Sequence, residues 1–422
     1  MNELLYLVHR IPYPPNKGDK IRSFNLLRHL ARHYRVHLGT FIDDPDDWRH
    51  VPALKEMCGE TCFVGLNSTS AKLRSLSRLI GREPMTLSYY RNARLKTWVD
   101  QILARGTVRR VLVFSSAMAP YVKNVDRDIR RVIDFVDVDS EKWRQYSQHH
   151  PWPVSWLYRR EGRNLLKYER EQALDFDMSV FVTKSEADLF MRYVPEAAGR
   201  VSFIENGVDA DYFSPEREYP NPYPSERRIL VFTGAMDYRA NVDAVDWFAR
   251  NVFPQVRSRE PGALFYIVGA RPTKAVMKLG NQAGVRVTGA VADIRPYLAH
   301  AHAAVAPLRI ARGMQNKVLE AMSMARPVLA TPAAMDGVHH CPGLESLVAE
   351  TPEAMAARAV ELLSRDDLDA LGRRGRECVL QRYNWGKNLH CFELLLEGGT
   401  TAAQLSGVGR GEKILNHGRV RS

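Results

Sequence analysis

The sequence predicts an α/β fold made of two doubly wound, Rossmann-like domains, each a mainly parallel sheet flanked by helices. Three observations predict it. Short apolar runs alternate with longer helical patterns almost from one end of the chain to the other, the pattern of βαβ winding. The alternation breaks once, at the proline cluster DADYFSPEREYPNPYPSER (209–227), and then restarts. The 422 residues are enough for two cores of ordinary size.

Taken in order, the candidate strands of the first half are ELLYLVH from Glu3, RVHLGTF from Arg35, VLVF from Val111, RVIDFV from Arg131, MSVFV from Met178 and VSFI from Val201. Helical patterns lie between them, which gives a first domain over 1–208. The proline cluster at 209–227 reads as the inter-domain linker. RILVFTG from Arg228, ALFYIVG from Ala263, VRVTG from Val285, AAVAPL from Ala303 and PVLAT from Pro327 then build a second sheet, within a domain over 228–382. A last helix over about 383–398 is expected to cross back onto the first domain, and the basic, Gly-rich stretch 399–422 reads as a disordered tail. Sheets of this kind bind ligands at their carboxyl edges, with phosphates on helix N-termini, so the active site is expected in the cleft where the two edges face each other.

Composition narrows the class. A net charge of +12 favours an acidic partner: nucleic acid, an anionic membrane surface or a phosphorylated small molecule. The basic residues are spread along both halves with no helix-turn-helix, zinc-finger or RNA-binding signature, which argues against nucleic acid. The five cysteines form no paired framework, and Cys58 and Cys62 lack a second pair at ligand spacing, so free thiols in a reducing cytoplasm are expected rather than a zinc site. The start MNELLYLVHRIPYP carries an acidic residue and too short an apolar run for a signal peptide, and no run of 18 apolar residues occurs.

The stretch RGMQNKVLEAMSMARPVLAT (312–331) carries the most chemistry. Its helix is expected to start near Met314, directly after strand AAVAPL, with its N-terminal amides at the carboxyl edge. Gly313 permits the turn, and Lys317 adds a positive charge to the dipole end, an arrangement suited to a diphosphate. Glu320, one turn on, can accept two hydroxyl hydrogen bonds, which a ribose diol offers. A solvated Glu320 with Lys317 as its i,i+3 partner is the plainer alternative.

NKVLEAMSMARPVLAT, with ENGVD from Glu205, FTGAMDYRANVDAV from Phe232 and YIVG from Tyr266, resembles the retaining GT-B glycosyltransferases of family four. Within them, PYPPNKGDKIRSFNLLRHLA from Pro12, DFVDVDSEKWRQYS from Asp134 and APLRIARGMQNKVLEAM from Ala306 look most like the sugar transferases of exosortase/PEP-CTERM exopolysaccharide systems. The resemblance implies transfer of a sugar from a nucleotide-sugar to a glycan or lipid-linked acceptor. It implies that Glu320, matching the second carboxylate of a Glu-x7-Glu motif, holds the ribose. The first carboxylate falls at Arg312, a departure that leaves the transferred sugar open; backbone amides around Gly313, Met314, Gln315 and Asn316 can take part of that work. Gly234 makes the turn after the first strand of the second domain, and Arg239 is implied to clamp the leaving diphosphate together with Lys317. Lys17, Gly18 and Asp19 look like the family's glycine loop over the donor phosphates, with Asp19 equally suited to cap the helix that follows.

Asp137 and Asp139 sit where a strand ends, placed to hold an acceptor hydroxyl or act as a base, or else, for Asp139 and Ser140, to cap a helix. Where many relatives place a His after the fourth strand, VFSSAM offers Ser115 and Ser116, with His9 as a substitute candidate. No Asp-x-Asp metal loop lies in the donor domain, so neither a metal nor another cofactor is expected. The stretches from Ala71 to Trp98 and from Pro151 to Arg170 mix Arg and Lys with Trp, Tyr and Leu, as peripheral membrane surfaces do, which would suit a polyprenyl-linked acceptor at an anionic inner leaflet. The competing readings are a nucleotide-sugar epimerase on the same fold and a non-catalytic nucleotide-sugar or nucleic-acid binding protein.

Overall fold

The computed structural model describes all residues except 16, 67–82, 124, 149, 226, 312–313, 339–340, 342–346 and 400–422. The chain divides into two compact units, Met1–Glu205 with Gly386–Ser422, and Asn206–Trp385. The expected tail thus lies outside the described residues from position 400 on.

The first unit is built on seven strands among the described residues: β1 (Asn2–Val8), β2 (Tyr34–Ile42), β3 (Thr61–Gly65), β4 (Val108–Phe114), β5 (Arg130–Val136), β6 (Met178–Phe181) and β7 (Val201–Phe203). They lie in the order β3-β2-β1-β4-β5-β6-β7, and every neighbouring pair is parallel. β1 is buried from Leu4 to Val8 because both faces of a central parallel strand are covered, which explains its unbroken apolar run. Strand β3, TCFVG, escaped the sequence reading: five residues with a Gly at the end give too little periodicity to stand out.

Helix α1 (Gly18–Leu30) follows β1, and α2 (Asp139–Gln148), α3 (Val154–Asp175) and α4 (Lys184–Tyr193) follow β5 and β6. Arg22 of α1 is fully buried and forms an ion pair with Asp134 of β5, Nε to Oδ2 at 2.8 Å, while its Nη1 donates to the Ile204 carbonyl at 2.8 Å. The closing helix Trp385–Glu397 adds Leu389, Phe392 and Leu395 to the buried residues; Arg22 lies over the Phe392 ring and Tyr34 Oη donates to Glu397 at 2.6 Å. Among the described residues no helix is long and apolar enough to cross a membrane.

The second unit carries β8 (Arg228–Thr233), β9 (Ala263–Val268), β10 (Val285–Gly289), β11 (Ala303–Ala306) and β12 (Val328–Ala330), parallel throughout in the order β10-β9-β8-β11-β12. Its helices include α5 (Arg239–Trp247), α6 (Asn316–Ser323) and α7 (Leu368–Arg382). The proline-rich residues 209–227, read as a linker, belong to this unit. Ser323 Oγ donates to the Phe213 carbonyl at 2.7 Å, Arg376 of α7 donates to the same carbonyl at 3.2 Å, and Tyr223 Oη donates to the Tyr297 carbonyl at 2.6 Å. Prolines mark where helix and strand stop, but aromatic side chains such as buried Tyr223 hold the segment down.

The expectation of unpaired cysteines is corrected. Cys341 and Cys378 form a disulfide with their Cα atoms 6.2 Å apart, while Cys58, Cys62 and Cys391 are free. The pair is separated by 37 residues, so spacing gave no sign of it.

Candidate active site

The second unit gathers most of the sequence-predicted donor residues at the carboxyl ends of β8 and β11, neighbours in its sheet. Gly234 follows β8 with φ +153°, and a side chain there would meet Asn241 and the Lys317 ammonium. Gly269, after β9, has φ +154°, and any side chain on it would overlap the Gly234 carbonyl. Glycine is needed at both positions because two strand ends and a cation approach one backbone.

Lys317 enters from the first turn of α6. Its Nζ donates to Asn241 Oδ1 and lies 4.4 Å from the centre of the Phe232 ring. Asn241 is itself buried in α5 and donates from Nδ2 to the Ala235 carbonyl at 2.8 Å, which fixes the amide and aims its oxygen at the ammonium. Burial lowers the Lys317 pKa to about 7 against the pull of Glu320, and burial raises Glu320 to about 7 against the pull of Lys317. The i,i+3 ion pair considered as the plainer alternative is thus replaced by a desolvated cation held by an amide and a ring face. An amide and a ring do not neutralise the ammonium and Glu320 acts on it only through space, which leaves it able to meet an incoming anion.

Asn316 opens α6, and Asn206 Nδ2 donates to its Oδ1 at 3.3 Å. Asn206 of the ENGVD motif thus braces the start of this helix. Gln315 occupies the N-cap position without a side-chain cap bond, and Met314 before it is buried, so the helix begins two residues later than expected. Arg239 is exposed at the first position of α5. Gly313 and Arg312 lie outside the described residues.

The remaining predicted residues belong to the first unit, at the carboxyl edge of its own sheet. Lys17 is the N-cap of α1 through its backbone, and Gly18 adopts no conformation that requires glycine. Asp19 is not the cap. Its Oδ2 accepts from Arg10 Nη1 at 2.6 Å and lies 3.5 Å from His9 Nε2, and these partners together hold its carboxyl well below the usual range despite burial. Committed to Arg10, this carboxylate braces the β1–α1 loop.

Asp137 follows β5 through a strained turn. Val136 has φ +70° and Ser115, after neighbouring β4, has φ +77°, conformations that side-chain-bearing residues avoid and that cost roughly 1–3 kcal/mol each. Asp134 holds both: its carbonyl accepts from Ser115 N at 2.8 Å and its Oδ1 from Val136 N at 3.2 Å. Burial, then Glu186 and Asp139, push Asp137 up to about 7, and its Oδ1 is buried with no hydrogen-bond partner. Ser140 is drawn to Glu169, Oγ to Oε2 at 2.5 Å, rather than capping α2.

Sequence reasoning missed Asn241 and the positioning role of Asn206. The available signal was an Asn inside an otherwise apolar helix face two residues after Arg239. His9 stacks on Phe114 with ring centres 5.9 Å apart, and its Nδ1 is buried without a partner.

Residues 227–365, which contain all of the candidate-site residues of the second unit except Asn206, match the family Glycosyl transferases group 1. The match lies wholly within the second unit. No curated protein matches the chain. Among solved structures, WaaG, a glycosyltransferase involved in lipopolysaccharide biosynthesis, aligns with TM-score 0.65 at 17% identity over 94% of this chain and 100% of its own. TarM from S. aureus, solved with UDP, Fondaparinux and alpha-GlcNAc-glycerol, gives 0.63 at 13% over 94% and 100%. HepE from Anabaena, solved with UDP and glucose, gives 0.63 at 14% over 94% and 100%. Together with the two parallel sheets flanked by helices, these likenesses establish the two-domain α/β GT-B fold.

Proposed function

We propose that this glycosyltransferase moves a sugar, with retention at the anomeric carbon, from a nucleotide-sugar to a saccharide or polyprenyl-linked saccharide. The observation that carries the proposal is the desolvated Lys317 ammonium, held by Asn241 and Phe232 beside Gly234 at the start of α6. Breaking the anomeric bond leaves negative charge on the diphosphate. A fixed cation and helix amides stabilise that charge more in the transition state than in the ground state. Lys317 and the amides of residues 314–316 receive the diphosphate, Glu320 the ribose hydroxyls, and Arg239 an outer phosphate oxygen. Asp137, whose buried oxygen lacks a partner, takes an acceptor hydroxyl. No metal takes part in these steps.

UDP in HepE and TarM makes UDP-sugars the first donors to test. The exosortase-system resemblance points to exopolysaccharide assembly, and exposed Trp152 and Trp156 beside Arg159 and Arg163 suit contact with an anionic inner leaflet from the cytoplasmic side. Of the other basic aromatic stretch, residues 71–82 lie outside the described residues. The test is a thermal-shift panel of UDP, GDP, ADP and their sugar conjugates, with and without Mg²⁺. A ligand at 100 times its Kd adds about 2.7 kcal/mol of stability. A selective shift that needs no Mg²⁺ is expected, and product formation with that donor completes the case; no shift with any nucleotide would overturn the donor site.

A further inference from the structure

In the first unit, α1 and the closing helix bring metal-ligating side chains together. α1 supplies His29, and His33 follows one turn on; the closing helix supplies His390 and Glu393, three apart on one face. His29 Nε2 touches Glu393 Oε1, His33 Nε2 lies 3.5 Å from the same oxygen, and His390 Nδ1 lies 3.4 Å from Glu393 Oε2. One ligand atom from each of His29, His33 and Glu393 falls within 4.8 Å of the others. Around a tetrahedral Zn²⁺ with bonds of about 2.1 Å, ligand atoms are about 3.4 Å apart, the spacing already present between His33 and Glu393.

A second observation favours an ion. His29 Nε2 and Glu393 Oε1 are buried and pressed against each other, closer than a well-formed hydrogen bond allows, and neither makes a well-formed hydrogen bond to another group. Buried polar atoms are nearly always satisfied, and a shared cation would satisfy both. Two imidazole nitrogens and one carboxylate oxygen suit a borderline transition metal rather than Ca²⁺ or Mg²⁺, which take oxygen shells.

We propose that His29, His33 and Glu393 bind a divalent transition metal of the Zn²⁺ type, its fourth position taken by water or His390, and that the ion clips the closing helix onto α1. The side chains of His29 and Glu393 are 13% and 15% exposed, so an ion can reach them, and a small rotation of either opens their contact to admit it. The role is structural. None of these residues belongs to the candidate donor site, so the two proposals stand or fall separately.

The experiment uses the full-length chain without a histidine tag, stripped with a chelator and titrated with Zn²⁺, and with Co²⁺ as a spectroscopic probe. One tight Zn²⁺ per chain, the visible absorption of four-coordinate Co²⁺, and a Zn²⁺-dependent rise in Tm are expected. His33→Ala and Glu393→Gln should each weaken binding at least about tenfold, as loss of a ligand does. His33 is 50% exposed, so its variant folds whatever becomes of the metal. Zn²⁺ binding unchanged in the His33→Ala/Glu393→Gln double variant, or no stoichiometric binding by the wild type, would overturn the proposal.

Discussion

At the scale of single residues, Lys317 and Glu320 share one helix turn but should fail differently. Lys317→Ala removes a charge that matters most when the diphosphate leaves, so turnover should fall about a hundredfold, roughly 3 kcal/mol, with a smaller change in nucleotide affinity. Glu320→Ala should weaken nucleotide binding instead; steady-state kinetics beside calorimetric titration separates the two. Because burial brings Lys317 down to about 7, turnover should decline as pH rises from 6.5 to 8.5 and the ammonium loses its proton. Lys317→Arg, always charged, should flatten that decline, and a flat wild-type profile would refute the phosphate role. Glu320 gives an opposite check through stability. Its folded pKa is raised from 4.5 to about 7, so its contribution is complete below 4.5 and is lost as pH rises through 7. Wild type should therefore lose more unfolding free energy than Glu320→Gln between those values in urea titrations.

At the scale of elements, the buried Arg22–Asp134 pair ties α1 to β5 and holds the strained turn that presents Asp137. Removing one partner leaves the other charge buried alone, so Asp134→Ala should cost about 3–5 kcal/mol, whereas an Arg22→Met/Asp134→Leu double variant should recover much of that loss. Equal stability of the single and double variants in denaturant unfolding would show that the pair is not buried as described. In the other sheet, Gly269→Ala would push a methyl into the Gly234 carbonyl. It should lower both Tm and nucleotide-induced stabilisation, because the end of β8 moves with it.

At the scale of the whole molecule, the chain's two crossings at Glu205/Asn206 and Trp385/Gly386 return the closing helix to the unit where the chain began. Phe392 is fully buried there under Arg22. Phe392→Ala should cost about 3–5 kcal/mol in the unfolding of the first unit. The stabilisation a nucleotide gives to the second unit should stay as in wild type, which a thermal melt with and without ligand reads directly.

Much of this was legible in order along the chain. Alternating apolar runs determine β1, β2, β4 and the strands that follow, since burial of both faces of a parallel strand demands unbroken apolar stretches. The motifs NKVLEAM and FTGAMDYRAN picked out residues that the structure gathers at the carboxyl ends of β8 and β11, because a helix start after a strand is a local property. Tertiary structure decided the rest. That Asn241 and not Glu320 holds the Lys317 ammonium, that Asn206 reaches Asn316, and that Cys341 pairs with Cys378 depend on contacts across 76, 110 and 37 residues. The placement of 209–227 within the second unit, and of His29 against Glu393, likewise follows from packing. Local sequence sets backbone conformation and which face is apolar; which polar atoms meet is fixed only when the layers close.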